Sequence, residues 1–520
     1  MRKTAWILAG VLFSFTLFVR PIGVDEEYWQ AGLNKIDDMM DLIKASYYKP
    51  VDDTELAQEA VKGMLQTLDP HSYLLEADNF SRMAEEQRGK YYGVGMQIIK
   101  QGDQLVVVSP MEGTPAWRLG VQPADVITLI NGESTQPITA QDAVNKLRGP
   151  KGTKVNVTFA REGVAKPIEL TIERAEIPLY SVPYAFLFPG DVGYVLIRSF
   201  AEATGEELAD KLDLLTKQGM KSLILDLRGN AGGSLPQAIE VSELFLPRGD
   251  MIVSMKGRNR AFDREFAAMR QDPYEKIPLI VLVDQGSASA SEIVAGAVMD
   301  NDRGLVVGAD SWGKGLVQQM FPLGPQTAVA ITIAKYFTPS GRSIQRDYTR
   351  LDEYLLDKVA ADKPREVKTT IKGRKVLGQG GITPDVAVPF TLKAYTFELR
   401  ARGAFFAYVR KFVAHQTALG KAFVFPGEPP SDAKGKILLA KPFLADARVL
   451  EDFRAFLLAN SFEADAKRFK EAEADLRREL EREVSASLWG QEEGWHAFER
   501  SDPQVLRSLK LMGEAAKFIE

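Results

Sequence analysis

Apolar residues first recur at three- and four-residue spacing, with Ile36, Met39, Met40 and Ile43 on one stripe, which predicts a helical region over residues 25–87 with a packed face. Within it, Asp52, Asp53 and Thr54 supply a cap before a second helix that runs to Leu68, and Asp69-Pro70 ends that helix. From 88 to 175 the pattern changes to short β-type runs, Val94 to Ile99, Gln104 to Val108, Val126 to Ile130 and Val155 to Phe159. Gly-Asp, Asn-Gly and Lys-Gly turn signals separate them, so a small β-rich domain is predicted.

Over residues 176–390 strand-like and helix-like runs alternate. Val192 to Ile197, Leu223 to Leu227 and Ile277 to Val283 read as strands, and each precedes a helix, near Gly205 to Gln218, Pro236 to Phe245 and Ser291 to Met299. This is an α/β core, and the run from Ile277 is apolar enough to be buried on both faces. Residues 391–520 turn helical again. Phe425 to Pro430, with three prolines and a glycine, is a linker candidate. The charge-rich stretch Ser461 to Val484 carries Phe462, Phe469, Leu476 and Leu480, and reads as a solvated helix packed on its own domain, with an interaction helix as the alternative. The expected architecture is multidomain α+β: N-terminal helices, a β-rich module, an α/β core and a helical C-terminal region.

The ends and the composition narrow the function. Arg2 and Lys3 precede a charge-free run from Ala5 to Val19, then Arg20 and Pro21, so residues 1–24 have the form of an export signal or membrane anchor. As a helix the run spans about 22 Å, short of a hydrocarbon core of about 30 Å, and no clean small-x-small cleavage site follows. A net charge of −5 over 520 residues supplies no basic surface for nucleic acid. Cysteine is absent, and the three histidines, His71, His415 and His496, are scattered. A hydrolase built on this chain therefore needs a nucleophile other than thiol and a base other than imidazole.

Three stretches can carry such chemistry. In Ile277-Pro-Leu-Ile-Val-Leu-Val-Asp-Gln-Gly-Ser-Ala-Ser-Ala-Ser-Glu-Ile293 a buried strand meets a tight small-residue turn and a helix opening near Ser291. Such a corner holds one hydroxyl at a sheet edge beside a helix N-terminus, so one of Ser287, Ser289 and Ser291 is a nucleophile candidate, against the ordinary reading of serine as a helix cap. In Ser311-Trp-Gly-Lys-Gly-Leu-Val-Gln318, Lys314 lies among glycines and apolar residues that can desolvate its amine into a neutral base, and Gln318 falls on the same face to orient it. A surface lysine in a turn is the plain alternative. Asp226-Leu-Arg-Gly-Asn-Ala-Gly-Gly-Ser234 is a second glycine corner whose N–H groups can meet an oxyanion; it lacks the endings of nucleotide-binding loops. In the β-rich module, free N–H groups of Tyr92-Gly-Val-Gly-Met96 can hold a terminal carboxylate while the next strand edge pairs with an extended peptide.

Together these stretches resemble the carboxyl-terminal processing peptidases, tail-specific Ser/Lys proteases of peptidase family S41 with an internal PDZ domain. The likeness runs from about Ile36 to Pro389. It rests on Gly63-Met-Leu-Gln-Thr-Leu-Asp-Pro-His-Ser72, the PDZ stretch, Leu225-Asp-Leu-Arg-Gly-Asn-Ala-Gly-Gly233, Gly286-Ser-Ala-Ser-Ala-Ser-Glu292, Gly313-Lys-Gly-Leu-Val-Gln318 and Gly381-Ile-Thr-Pro-Asp385. The resemblance implies a nucleophile 25 residues before the lysine, which selects Ser289, with Lys314 as base and Gln318 orienting it. It implies oxyanion groups at Ala290 and at Gly232 or Gly233, supporting roles for Glu292 and Asp300, and a structural His71. Gly93, Val94, Gly95 and Met96 become the PDZ carboxylate loop, and Arg148 resembles an arginine that couples PDZ to protease core.

The resulting expectation is a cofactor-free serine endopeptidase, with no metal, that selects exported proteins by their C-terminal tails at the bacterial periplasm or the periplasmic face of the inner membrane. An adaptor protein and further copies of the chain are the other partners to look for. A PDZ-containing binding or scaffold protein without catalysis and a small-ester hydrolase are the rivals. Keeping both Ser289 and Lys314 at the family interval argues against the first, and a tail-reading domain argues against the second.

Overall fold

The computed structural model describes residues 26–270, 273–324, 327–349, 354, 365–427 and 437–519. Residues 1–24 and the end of the Phe425–Pro430 linker candidate lie outside them. Residues up to Leu68 and residues Asp69–Glu520 form two compact units. The first holds helices Glu26–Ser46 and Asp53–Gln66, the latter capped by Asp52, whose carboxylate accepts the N–H groups of Thr54 and Glu55. Of the stripe that the period suggested as a packed face, Ile36 and Met39 are exposed and Met40 and Ile43 half-buried.

The second unit is organised around a six-stranded sheet in the order Tyr184–Phe188, Val192–Leu196, Ser222–Asp226, Leu279–Val283, Leu305–Gly308 and Val386–Ala387. The first pair is antiparallel and the others parallel. Helices Thr204–Lys217, Leu235–Glu243 and Ala290–Asp300 connect the parallel strands. Strands added in sequential order by right-handed crossovers put every connecting helix on one face, which leaves the other face bare. The side chains follow: Val195, Leu223, Leu225, Val281 and Val283 pack with the connecting helices, while Tyr194, Ile224, Ile280, Leu282 and Val307 point the other way. That second face is covered by the end of the chain, with Val505, Leu511 and Ala515 of helix Pro503–Ala515 in the same buried cluster.

A second sheet joins Tyr73–Leu75 to Thr327–Phe337, which also pairs with Met251–Gly257 and with Leu316–Gly324. The β-rich module is a sheet of Met96–Gln101, Gln104–Pro110, Val126–Ile130, Lys154–Ala160 and Ile168–Glu173, with helix Ala140–Leu147 beside it. Its entering and leaving segments, Lys90–Gly93 and Ala175–Pro178, pair antiparallel as a two-stranded stalk.

In the C-terminal region an aromatic core of Phe405, Tyr408, Phe412, Phe453 and Phe469 receives Leu476, Leu480 and Val484 of helix Glu473–Trp489. That helix packs on its own region but is not solvated: Asp475, Arg478, Glu479 and Glu481 are buried. Asp475 accepts the Lys393 N–H at 2.7 Å and Glu481 the Ala445 N–H at 3.0 Å, so charge here marks ties to neighbouring segments. Among the described residues no helix is long and apolar enough to cross a membrane.

Candidate active site

Strand Leu279–Val283 runs to the edge of the sheet, and helix Ala290–Asp300 starts after the small-residue turn. Two of the three candidate hydroxyls are spent inside this corner. Ser287 Oγ donates to the Leu227 carbonyl at 2.8 Å and Ser291 Oγ to the Asn230 carbonyl at 2.8 Å, both fully buried. Ser289 is half-buried and lines a cleft of about 630 Å³ together with Ala290, Lys314, Gln318, Gly232 and Gly233. Its backbone sits at φ 53°, ψ −110°, a conformation that a residue with a Cβ holds only under outside constraint.

The constraint is Glu292. Its fully buried carboxylate accepts the Ser289 N–H at 2.8 Å and the Lys314 N–H at 2.9 Å on Oε2. The Gly313 N–H and the Ser311 hydroxyl bond Oε1 at 2.7 and 2.5 Å. One oxygen thus holds the backbones of serine and lysine within the sum of those first two distances. Burial raises the Glu292 carboxyl above its ordinary range, and the four donors oppose that shift. A second tie comes from Tyr336, whose hydroxyl lies against the carbonyls of Lys314 and, at 3.1 Å, of Ser289. With one proton it donates to one of them at a time.

Burial lowers the Lys314 amine below the usual lysine value, against the opposing charges of Glu292 and Asp69. Among the described residues the amine makes no hydrogen bond, to Ser289 Oγ or to Gln318. Gln318 lines the same cleft, but its amide donates to Thr332 Oγ1 at 3.3 Å. His71, read as structural, sits in the turn before strand Tyr73–Leu75, bonded to the Tyr354 hydroxyl at 2.5 Å. Burial, and then the Lys314 charge, lowers it to about 4, so it is neutral at neutral pH. Asp300 forms a buried pair with Arg342 at 2.7 Å and takes no part in the cleft.

The glycine corner presses directly on the serine. A Cβ on Gly232, at φ 100°, would stand 2.8 Å from Ser289 Cβ and 2.9 Å from the Ala290 nitrogen, so no other residue fits there. The Gly232 N–H is already given to Asn230 Oδ1 at 2.9 Å. Ala290 occupies the first turn of its helix, where backbone N–H groups have no acceptor within the helix.

In the β-rich module a groove of about 440 Å³ runs between strand Met96–Gln101 and helix Ala140–Leu147, lined by Val94, Gly95, Met96, Ile98, Val144 and Leu147. Gly93 ends the preceding strand and is not among the lining residues. Arg148, at the end of that helix, pairs with Glu85 at 2.7 Å and lies 4.5 Å from the Tyr91 ring centroid. Glu85 belongs to helix Ala77–Arg88, whose Met83, Glu86 and Gln87 line the cleft of Ser289 and Lys314.

Comparison with known proteins agrees with this layout. The sequence models for Peptidase family S41, a PDZ domain and the activating protease CtpB N-terminal domain match residues 191–354, 106–161 and 23–79. A carboxy-terminal-processing protease of Bartonella bacilliformis is 38% identical over 352 residues, covering 66% of this chain and 80% of that one. The chain belongs to the carboxy-terminal processing proteases of peptidase family S41. The carboxy-terminal processing protease CtpA of Bacillus subtilis is 34% identical over 362 residues, 66% of this chain and 76% of that one. Among solved structures, the photosystem II D1 C-terminal processing protease covers 71% of this chain and 94% of that one at 26% identity, with a TM-score of 0.36.

As a serine endopeptidase of this family with a PDZ domain, the chain has a catalytic surround that sequence reading saw only in part. Sequence placed Glu292 in a helix's first turn and assigned Tyr336 no role. Their shared hold on Ser289 and Lys314 appears only once residues far apart in sequence meet. The carboxylates that hold Arg228 from the C-terminal helices were missed altogether.

Proposed function

We propose that Ser289 and Lys314 are the catalytic dyad, and that tails bound to the PDZ groove bring substrate to it. The supporting observation is the Glu292 carboxylate, one oxygen of which holds the backbones of both residues beside the cleft where a desolvated amine stands. Neutral Lys314 takes the proton of Ser289 Oγ as the oxygen attacks the peptide carbonyl carbon. The oxyanion forms against backbone N–H groups, and we assign these to Ala290 and Gly233, since the Gly232 N–H already serves Asn230. Collapse breaks the C–N bond, the Lys314 ammonium returns the proton to the departing amine, and water repeats the sequence on the acyl-enzyme through the same base. No cofactor enters this scheme. Gln318 orients the amine once it has turned from Thr332.

The missing Ser289–Lys314 bond suits a resting state. Peptide binding at Val94, Gly95 and Met96 is relayed by Arg148 and Glu85 to helix Ala77–Arg88, and so to the cleft wall. Substrates are exported proteins with accessible C-termini, the N-terminal segment delivering the enzyme to the same side of the membrane. Adaptors and self-assembly belong to the surfaces that this reading leaves free. The test is cleavage of one unstructured protein carrying different C-terminal tails. Rates are expected to follow the tail, and Arg148→Ala to erase at least about five-fold of that dependence. Equal cleavage of every tail by the unaltered enzyme would remove the PDZ role, and unchanged tail dependence in Arg148→Ala would remove the relay.

A further inference from the structure

The glycine corner is anchored from behind by the end of the chain. Arg228 spreads its guanidinium over both oxygens of Asp226, with Nε at 3.0 Å from Oδ1 and 2.9 Å from Oδ2, and Nη2 at 2.5 Å from Oδ2. Nη2 also donates to Glu499 at 2.7 Å, and Nη1 to Asp502 at 3.0 Å and to Gln504 Oε1 at 2.9 Å. The two carboxylates are all but fully buried, with side chains 2% and 1% exposed. Asp502 further receives Arg478 at 2.8 Å and caps helix Pro503–Ala515 through the N–H groups of Gln504 and Val505. Tyr194 closes the cluster on Asp226 at 2.6 Å, and the Trp495 ring N–H donates to the Tyr194 hydroxyl at 3.2 Å.

Apolar packing alone is not directional, whereas a planar guanidinium with five donors fixes its partners in angle as well as distance. Its backbone belongs to the turn that leads through Asn230 and Gly232 to the flank of Ser289, where a donor displaced by about 1 Å loses most of its effect on an oxyanion. We infer that Glu499, Asp502 and Gln504 are positioning residues for the oxyanion donors, acting through Arg228. The C-terminal helices are on this reading a working part of the catalytic centre. The cluster holds three carboxylates against two guanidiniums, and burial pushes Glu499 up to about 8, so the surplus charge is met by a retained proton. The matched family models stop at residue 354 and assign these helices nothing.

The inference rests on the Ser289/Lys314 reading, and the experiment keeps the two apart. In the full chain, Asp502→Asn keeps the helix cap, since asparagine caps as well as aspartate, but withdraws the charge from Arg228. Three quantities are measured: kcat and KM on a tail-bearing unstructured protein, affinity for the free tail peptide, and affinity for a peptide boronic acid, whose serine adduct fills the oxyanion position. The expected result is a fall of about ten- to a hundred-fold in kcat and in boronate affinity, with KM and tail affinity unchanged. A folded variant with unaltered kcat overturns the inference, and so does a parallel loss of kcat and tail affinity. Should Asp502→Asn not fold, the same readings on Glu499→Gln and Glu499→Ala decide. The glutamine variant, which mimics the protonated acid, is expected to retain activity that the alanine variant loses, and equal behaviour of the two overturns the inference. Cleavage surviving in Ser289→Ala would sink the dyad itself, whatever these variants do.

Discussion

Ser289→Ala is expected to reduce peptide cleavage by about 10⁶-fold, the loss seen when a serine nucleophile is deleted elsewhere. The fold has little reason to change. Strong ties hold this residue in its constrained turn through its backbone: the N–H to Glu292, and the carbonyl accepting the Ile293 N–H and the Tyr336 hydroxyl. Removing Oγ therefore takes the reacting atom and leaves the scaffold. Thermal unfolding and affinity for a tail-bearing substrate are expected to match the unaltered enzyme, and mass spectrometry should detect no acylated intermediate. Turnover persisting in this variant would pass the role to another residue.

Lys314→Met should cost nearly as much, because a serine hydroxyl without a base is a poor nucleophile. Adding it to Ser289→Ala should cost nothing further, since residues acting as one unit are not additive. The pH dependence has a defined sign. The working form is the neutral amine, so kcat/KM of the unaltered enzyme is expected to rise with pH through the lowered folded-state value and then level off. Stability runs with the same linkage. Between the lowered folded value and the ordinary lysine value the unfolded chain binds the extra proton, so this lysine destabilises the fold increasingly as pH falls through that window. Lys314→Met is accordingly expected to melt higher at neutral pH, with the gain shrinking as pH rises towards the ordinary lysine value of 10.5. A variant that melts lower at neutral pH, or a pH-independent rate, would contradict a desolvated base.

The parts legible from sequence were those whose signals are local. The apolar run from Ile277 to Val283, followed by glycine and small residues, read as a buried strand entering a turn, and strand Leu279–Val283 does so. The Asn131-Gly132 and Gly102-Asp103 signals fall at turns of the PDZ sheet. The three serines could not be told apart by composition, because what distinguishes them is hydrogen bonding: Leu227 and Asn230, from another corner, consume Ser287 and Ser291. The surroundings of His71 were hidden for the same reason. Its nearness to Lys314 depends on strand Tyr73–Leu75 pairing with Thr327–Phe337, across more than half of the second unit. The charged helix Glu473–Trp489 read as solvated because sequence shows the charges and not their partners.

Helices Gln491–Glu499 and Pro503–Ala515 also bear on when the centre can form during folding. Chains fold from the N-terminus as they emerge, and until residue 491 and beyond have arrived, the face carrying Ile224, Ile280 and Leu282 is bare and Arg228 has only Asp226. A chain stalled before that point is expected to cleave nothing, and activity in such a chain would refute the idea. If helices Gln491–Glu499 and Pro503–Ala515 back the catalytic centre as inferred above, a peptidase able to attack unfolded neighbours stays idle until they have docked.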